Sequence, residues 1–350
     1  MYYVDKILEV LIVTIINILL IFLGRAIYKV FFGTRKLSLQ SLLVYFGIGS
    51  GSFGTIFFFY GATIGLTNIA VLFFLLSCLI ISSVSLFRSR DEIWNLIRSY
   101  RIKQMTLLES FLILLLVIIL VYNIYRGLWP DIDFDSTWYH LTESKIYLMN
   151  ERISYIKGSL LYYSAMPQLI ESFYLLGLFV KSGITAKLFH TFFGIWCVFL
   201  SYVWGKELSK SKLGGLISAL FFYTSNIVIW ESQNAYIDLG VTLYVSLGLW
   251  FFWKSLKINI DRTKLIFLSS IFIGFALGSK LLSIYWVIIL VIVNVLWLIG
   301  SRRFVWKEFL LQSLIIGGIP LLIWLPWGLY SFIYTNNPVF PLLEGIFNEN

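Results

Sequence analysis

Charge is scarce in this sequence. Only 13% of residues are Asp, Glu, Lys or Arg, against about a quarter in a soluble domain. Cysteine is nearly absent too. Cys78 and Cys197 both fall inside apolar runs, which excludes a disulfide framework and a CxxC metal pair. No ten-residue alternating pattern suggests a β-barrel. No internal repeat, low-complexity tract or soluble domain is visible. The first apolar run, about 7–24, follows Asp5 and Lys6 and lacks a small-residue cleavage site, so it reads as a retained helix.

What is abundant is apolar surface. The hydrophobic fraction is 59% and the mean hydropathy is +0.86. Repeated apolar runs reach the ~20 residues needed to cross a ~30 Å hydrocarbon core. Backbone polar groups in lipid must be satisfied within the segment, so the runs are helices. The expectation is an all-α polytopic membrane protein of about ten transmembrane helices: 7–24, 41–60, 66–87, 105–125, 186–205, 213–230, 237–253, 264–279, 281–299 and 309–333.

The stretch 167–180 is short and carries Glu171. Treating it as non-spanning puts one set of basic clusters on a single face. These are Arg25, Lys29, Arg35 and Lys36; Arg88, Arg90, Arg98, Arg101 and Lys103; Lys206, Lys210 and Lys212; Lys254, Lys257, Arg262 and Lys264; and Arg302, Arg303 and Lys307. That face is the expected cytoplasmic side. The net charge of +9 is thereby explained without nucleic acid. Asp131, Asp133, Asp135, Glu143, Glu151, Glu171, Glu231, Asp238 and Lys280 fall on the opposite face. So does the longest loop, about 126–185, in which 138–149 and 159–180 read as amphipathic helices in the interface.

Four features could carry chemistry. The segment 129–141 (WPDIDFDSTWYHL) places three carboxylates directly after a span. Asp135 is either a surface-held general base or metal ligand, or, with Ser136, a helix cap. For Asp131 the capping role is the better reading. His140, five residues after Asp135 and so off its face on an α-helix, is either a second ligand or base or, the better reading, a residue of interface packing. The segment 230–238 (WESQNAYID) puts Asp238 at the start of a span, either functional or a solvated N-cap acid. Lys280 in GFALGSK either snorkels to headgroups or binds phosphate. Pro320 and Pro326 are expected to kink the last span, and Asn336-Asn337-Pro338 marks a turn. Pooled, these loops suit an enzyme joining a lipid-borne substrate to an acceptor.

From about 105 to 341, the order of these motifs resembles the GT-C superfamily of integral-membrane glycosyltransferases. The lipid A aminoarabinose transferases and protein O-mannosyltransferases are the most similar in pattern. The features are Asp135-Ser-Thr-Trp-Tyr139-His140-Leu after a span, and an interfacial stretch from Pro167. Ala235-Tyr236-Ile-Asp238 then opens a span, Gly278-Ser-Lys280 ends one, and Leu325-Pro326-Trp327 and Asn337-Pro338-Val-Phe-Pro341 follow. The resemblance implies an inverting transferase with a polyprenyl-phosphate sugar donor. It makes Asp135 the base, Asp238 a second catalytic acid shaping the acceptor or metal site, and Lys280 a contact for the lipid phosphate. Asp133, Tyr139, His140, Glu171 and Tyr236 become substrate-binding candidates.

Departures stand beside this. Ala165-Met166-Pro167 replaces the Glu-Lys-Pro of the aminoarabinose transferases, so a divalent metal ion is an open question rather than an expected cofactor. Ser136 replaces the second acid of the mannosyltransferase pair. The three spans before 105 form an additional N-terminal domain, 1–104, beside a catalytic core, 105–350. The chain stops at Asn350 where many relatives continue, as a truncated chain would. The expected setting is multi-pass, in a bacterial inner or plasma membrane with the active face periplasmic or extracellular. The partners would be the bilayer, the lipid-linked donor and an envelope glycan, lipid or protein acceptor. The rival class is a transporter or flippase. It is disfavoured because mid-span charges are nearly absent and no repeated halves appear.

Overall fold

The computed structural model describes residues 2–99, 105–158, 161–257, 261–301 and 305–347. The expected basic residues Arg101, Lys103, Arg302 and Arg303 lie outside this set, as does Asn350. The chain is all-helical over the described residues, and nine of their helices are long and apolar enough to cross a membrane. The helices are α1 (Tyr2–Phe32), α2 (Leu39–Thr63), α3 (Asn68–Arg88), α4 (Arg90–Ser99), α5 (Leu107–Gly127), α6 (Leu141–Met149), α7 (Glu171–Val180), α8 (Gly183–Ser209), α9 (Lys212–Tyr223), α10 (Asn226–Glu231), α11 (Asp238–Lys257), α12 (Arg262–Ser279), α13 (Ile284–Gly300), α14 (Trp306–Thr335) and α15 (Glu344–Phe347). They form two compact units, Met1–Ile153 with Glu171–Leu239, and Ser154–Ile170 with Gly240–Asn350.

Polar side chains fix the helix starts that hydropathy alone leaves loose. Ser38 and Ser41 form a capping box at α2, and Thr106 and Glu109 form one at α5. The Thr67 hydroxyl accepts from Ala70 N–H at the start of α3. Each satisfies backbone amides that have no partner within the helix.

The expected span 213–230 is not one helix. It breaks at Thr224–Ser225 into α9 and α10. The local run Tyr223-Thr224-Ser225-Asn226 supplies the reason, because short polar side chains compete for backbone partners. Thr224 Oγ1 donates back to Leu220 C=O at 2.8 Å. Nor does α7 lie as an amphipathic surface helix. All residues from Glu171 to Gly177 are buried. Its polar groups find internal partners instead: Glu171 meets His140, and Ser172 Oγ donates to Gly54 C=O at 3.1 Å.

In the first unit, α1 and α2 touch backbone to backbone. A Cβ at Gly24 would lie 1.8 Å from Tyr45 O, and one at Gly49 would lie 1.9 Å from Leu20 O, so any side chain at either position forces the pair apart. Phe53, Phe57, Phe74 and Phe173 continue the core as a chain of ring contacts. Glu9, buried within α1, accepts from Ser182 Oγ at 2.9 Å and from Thr185 Oγ1, which anchors the start of α8. In the second unit, Phe252, Ile266, Ile273, Val287, Leu290 and Ile316 form a buried cluster. Lys254, Lys257 and Arg262 lie over the rings of Trp250, Trp253 and Trp297 at 3.9, 4.0 and 3.8 Å. Basic residues paired with Trp mark a membrane–water boundary.

Candidate functional site

Within the first unit, two loops are stitched together. The first leaves α5 at Gly127 and enters a π-helix, Ser136–His140. The second, Ser232–Ile237, leads into α11. Asp131 joins them. Its Oδ1 accepts from Asp133 N–H at 3.1 Å and its Oδ2 from Ala235 N–H at 2.7 Å. Asp131 is a strut between the two loops and caps no helix.

Asp135 opens the π-helix but makes no side-chain cap hydrogen bond, so its half-buried carboxylate is not used to start the helix. The π-helix is an uncommon element whose hydrogen bonds join residues five apart. That ladder is seen between Leu141 N–H and Ser136 C=O. It brings Asp135 and His140, also five apart, closer to one side than an α-helix would. His140 is nevertheless turned inward. It is 1% exposed, and its Nδ1 lies 3.0 Å from Glu171 Oε1. The other Glu171 oxygen and Ser136 Oγ are buried without a hydrogen-bond partner among the described residues.

Tyr236 stands beside both groups. Its ring is 6.0 Å from His140 and 4.9 Å from Trp230. Burial, foremost, raises its phenol above the ordinary value of 10.0. The charges of Asp135, Asp133 and Glu231 add to this, while the Asp135 backbone amide opposes it. Tyr174 donates its hydroxyl hydrogen to Tyr236 C=O and feels the charges of Glu171, Glu231, Asp131 and Asp238. Burial first, then Asp131, holds Asp133 above its ordinary 3.8, and Lys187 works the other way.

His190 fixes the second loop from below. Its Nδ1 reaches the carbonyls of Glu231 (3.0 Å) and Asn234 (2.8 Å), while Nε2 accepts from Leu239 N–H at 3.1 Å. An imidazole that donates on Nδ1 and accepts on Nε2 is neutral. Thr191 Oγ1 adds a bond to Ser232 C=O at 2.8 Å. Asp238 therefore begins α11 on a fixed loop, half-buried, in the first turn where the helix dipole favours a carboxylate.

Of the expected site residues, Asp133, Asp135, His140, Glu171, Tyr236 and Asp238 gather in this unit. Tyr139 accompanies them, its ring 4.1 Å from that of His140. Lys280 belongs to the second unit, at the turn ending α12, where its amide donates to Ala276 C=O at 2.9 Å. In the same turn Gly278 C=O accepts from Leu169 N–H at 3.0 Å, and Trp327 packs so closely that a Cβ at Gly278 would meet its ring at 2.6 Å.

Sequence reasoning missed Lys187 and His190. Lys187 is 2% exposed near the start of α8, and the charges of Asp131, Asp133 and Arg126 all act on it. The available signal was position: an ionisable residue just inside an apolar run is expensive and needs a partner. Among the described residues, no three His, Cys, Asp or Glu side chains are grouped so that they could hold a metal ion. Asp131 in particular is committed to two backbone amides.

A family model described as dolichyl-phosphate-mannose-protein mannosyltransferase matches residues 162–337. No curated protein and no solved structure matches the chain.

Proposed function

Because the chain belongs to the dolichyl-phosphate-mannose-protein mannosyltransferase family, and so is an integral-membrane glycosyltransferase, we propose that it moves a sugar from a polyprenyl-phosphate carrier to a hydroxyl acceptor of the cell envelope with Asp135 as general base. The observation that carries this reading is the Asp135 carboxylate, half-buried in the first loop, free of a capping role and next to Tyr236.

In the proposed reaction Asp135 takes the proton of the acceptor hydroxyl. A neutral hydroxyl is a poor nucleophile without an adjacent base. The oxygen attacks the anomeric carbon from the side opposite the phosphate, the bond to the phosphate oxygen breaks, and the configuration inverts. The departing lipid phosphate gains negative charge, which a cation held in a dry site stabilises. Lys187 supplies such a charge in the first unit.

Asp238 is proposed as the second acid and Tyr236, Tyr139 and Asp133 as acceptor contacts. Ser136 Oγ and one Glu171 oxygen, buried without a partner among the described residues, are proposed to meet substrate hydroxyls once substrate opens the site, because burying such atoms unsatisfied costs about 1–3 kcal/mol each. His140 positions Glu171. The active face is proposed to be the periplasmic or extracellular one, opposite the basic clusters, in a bacterial inner or plasma membrane.

The test is release of polyprenyl phosphate by purified protein from a panel of polyprenyl-phosphate sugars, with envelope extract as acceptor. Wild type should release it and Asp135→Asn should not. Equal release by both would remove Asp135 from the chemistry.

A further inference from the structure

In the first unit, α5, α8, α9 and the start of α2 leave a cavity of about 1110 Å³, its charged rim at the end away from these loops and its lining reaching in as far as Tyr223. This is just above the range of small-molecule pockets, about 300–1,000 Å³. Its walls are apolar stripes of the three helices, and its rim carries Glu109, Lys206, Glu207 and Lys212. The lining runs from Glu109 to Leu120 on α5 and from Lys212 to Tyr223 on α9. At ~1.5 Å per residue, each run is about 16 Å long. That is roughly half of the ~30 Å hydrocarbon core, the depth of one leaflet.

We propose that this groove binds one membrane phospholipid with a phosphoethanolamine headgroup, its acyl chain along the apolar stripes and its headgroup at the rim. Charge selects the headgroup. Two lysines at helix ends would suit any phosphate. Two carboxylates beside them repel a purely anionic headgroup and attract a primary ammonium. The rim thus offers both signs to a headgroup that carries both. Depth selects against a polyprenyl chain, which is longer than one leaflet and bears phosphate without an ammonium. Glu109 is held in place there, because its Oε2 accepts from Thr106 N–H at 2.9 Å.

The experiment is native mass spectrometry of the full chain released from nanodiscs of equimolar phosphatidylethanolamine and phosphatidylglycerol with added polyprenyl phosphate. Wild type should retain one phosphatidylethanolamine per chain, favoured about five-fold over phosphatidylglycerol, the scale of a partly exposed ion pair. Val117→Trp, at a half-exposed groove-lining position on α5, should lose the bound lipid. Glu109→Gln with Glu207→Gln should keep a phospholipid but lose the preference. A wild type that retains nothing, retains both phospholipids equally or retains polyprenyl phosphate instead would overturn the assignment. Retention by Val117→Trp at the wild-type level would move the lipid elsewhere and overturn it as well.

Discussion

One carboxylate, Asp131, bonds the backbone of both loops of the candidate site, Asp133 N–H in its own loop and Ala235 N–H in the other. It gives Asp131 a role separable from that of Asp135. Asp131→Ala should lower the melting temperature and the transfer rate together, with a stability loss of about 1.5–3 kcal/mol for a hydrogen bond to a charged group. Asp131→Asn keeps one acceptor oxygen and should fall between. A variant that melts as wild type does would show that the loops are held by something else.

Asp135→Asn, by contrast, should leave membrane insertion and melting unchanged. It should cost about 10²–10⁴ in rate, the usual contribution of a general base. Single-turnover transfer and a thermal melt on the same preparation separate the two effects.

His190 is expected to be structural. His190→Leu strips partners from Leu239 N–H and from the carbonyls of Glu231 and Asn234. Each buried group left unsatisfied costs about 1–3 kcal/mol. Loss of folded protein on size-exclusion chromatography is the predicted result, and a stable variant of normal activity would contradict it.

The pH profile should carry Asp133, an acceptor contact, alongside the general base Asp135. Its raised value means that acidification protonates it before an ordinary carboxylate. Lys187 opposes that shift, so Lys187→Met should move the acid limb of kcat/KM to higher pH. The same sign governs folding. With the folded-state value above the unfolded one, stability is given up as pH rises through the interval between them, and Asp133→Asn removes that loss. An acid limb unmoved in Lys187→Met would exclude Asp133 as its source.

Much of this molecule can be read from its sequence because lipid is a demanding solvent. Runs such as 105–125 and 281–299 have one structural solution, and Leu107–Gly127 and Ile284–Gly300 follow them closely. Asp135 and Asp238 stood out for the same reason, as charges beside apolar runs. What escaped are features set by contacts distant in the chain. Nothing local says that Asp131 reaches Ala235, 104 positions away, or that Glu171 buries itself against His140. The π-helix at Ser136–His140 likewise has no hydropathy signature, and the break at Thr224–Ser225 hides within an otherwise apolar run.

The helix that carries the first loop, α5, shows most of its length to lipid: Leu114, Ile118, Val121 and Tyr125 are all exposed. Its 21 residues span about 32 Å at ~1.5 Å per residue, scarcely more than a ~30 Å hydrocarbon core. Such a helix meets a thinner bilayer by tilting and a thicker one by deforming it. Asp135 lies eight residues beyond its end, so membrane thickness becomes a variable of the reaction. Transfer measured across phosphatidylcholines of increasing chain length should pass through a maximum, and a flat response would show that α5 does not transmit the strain.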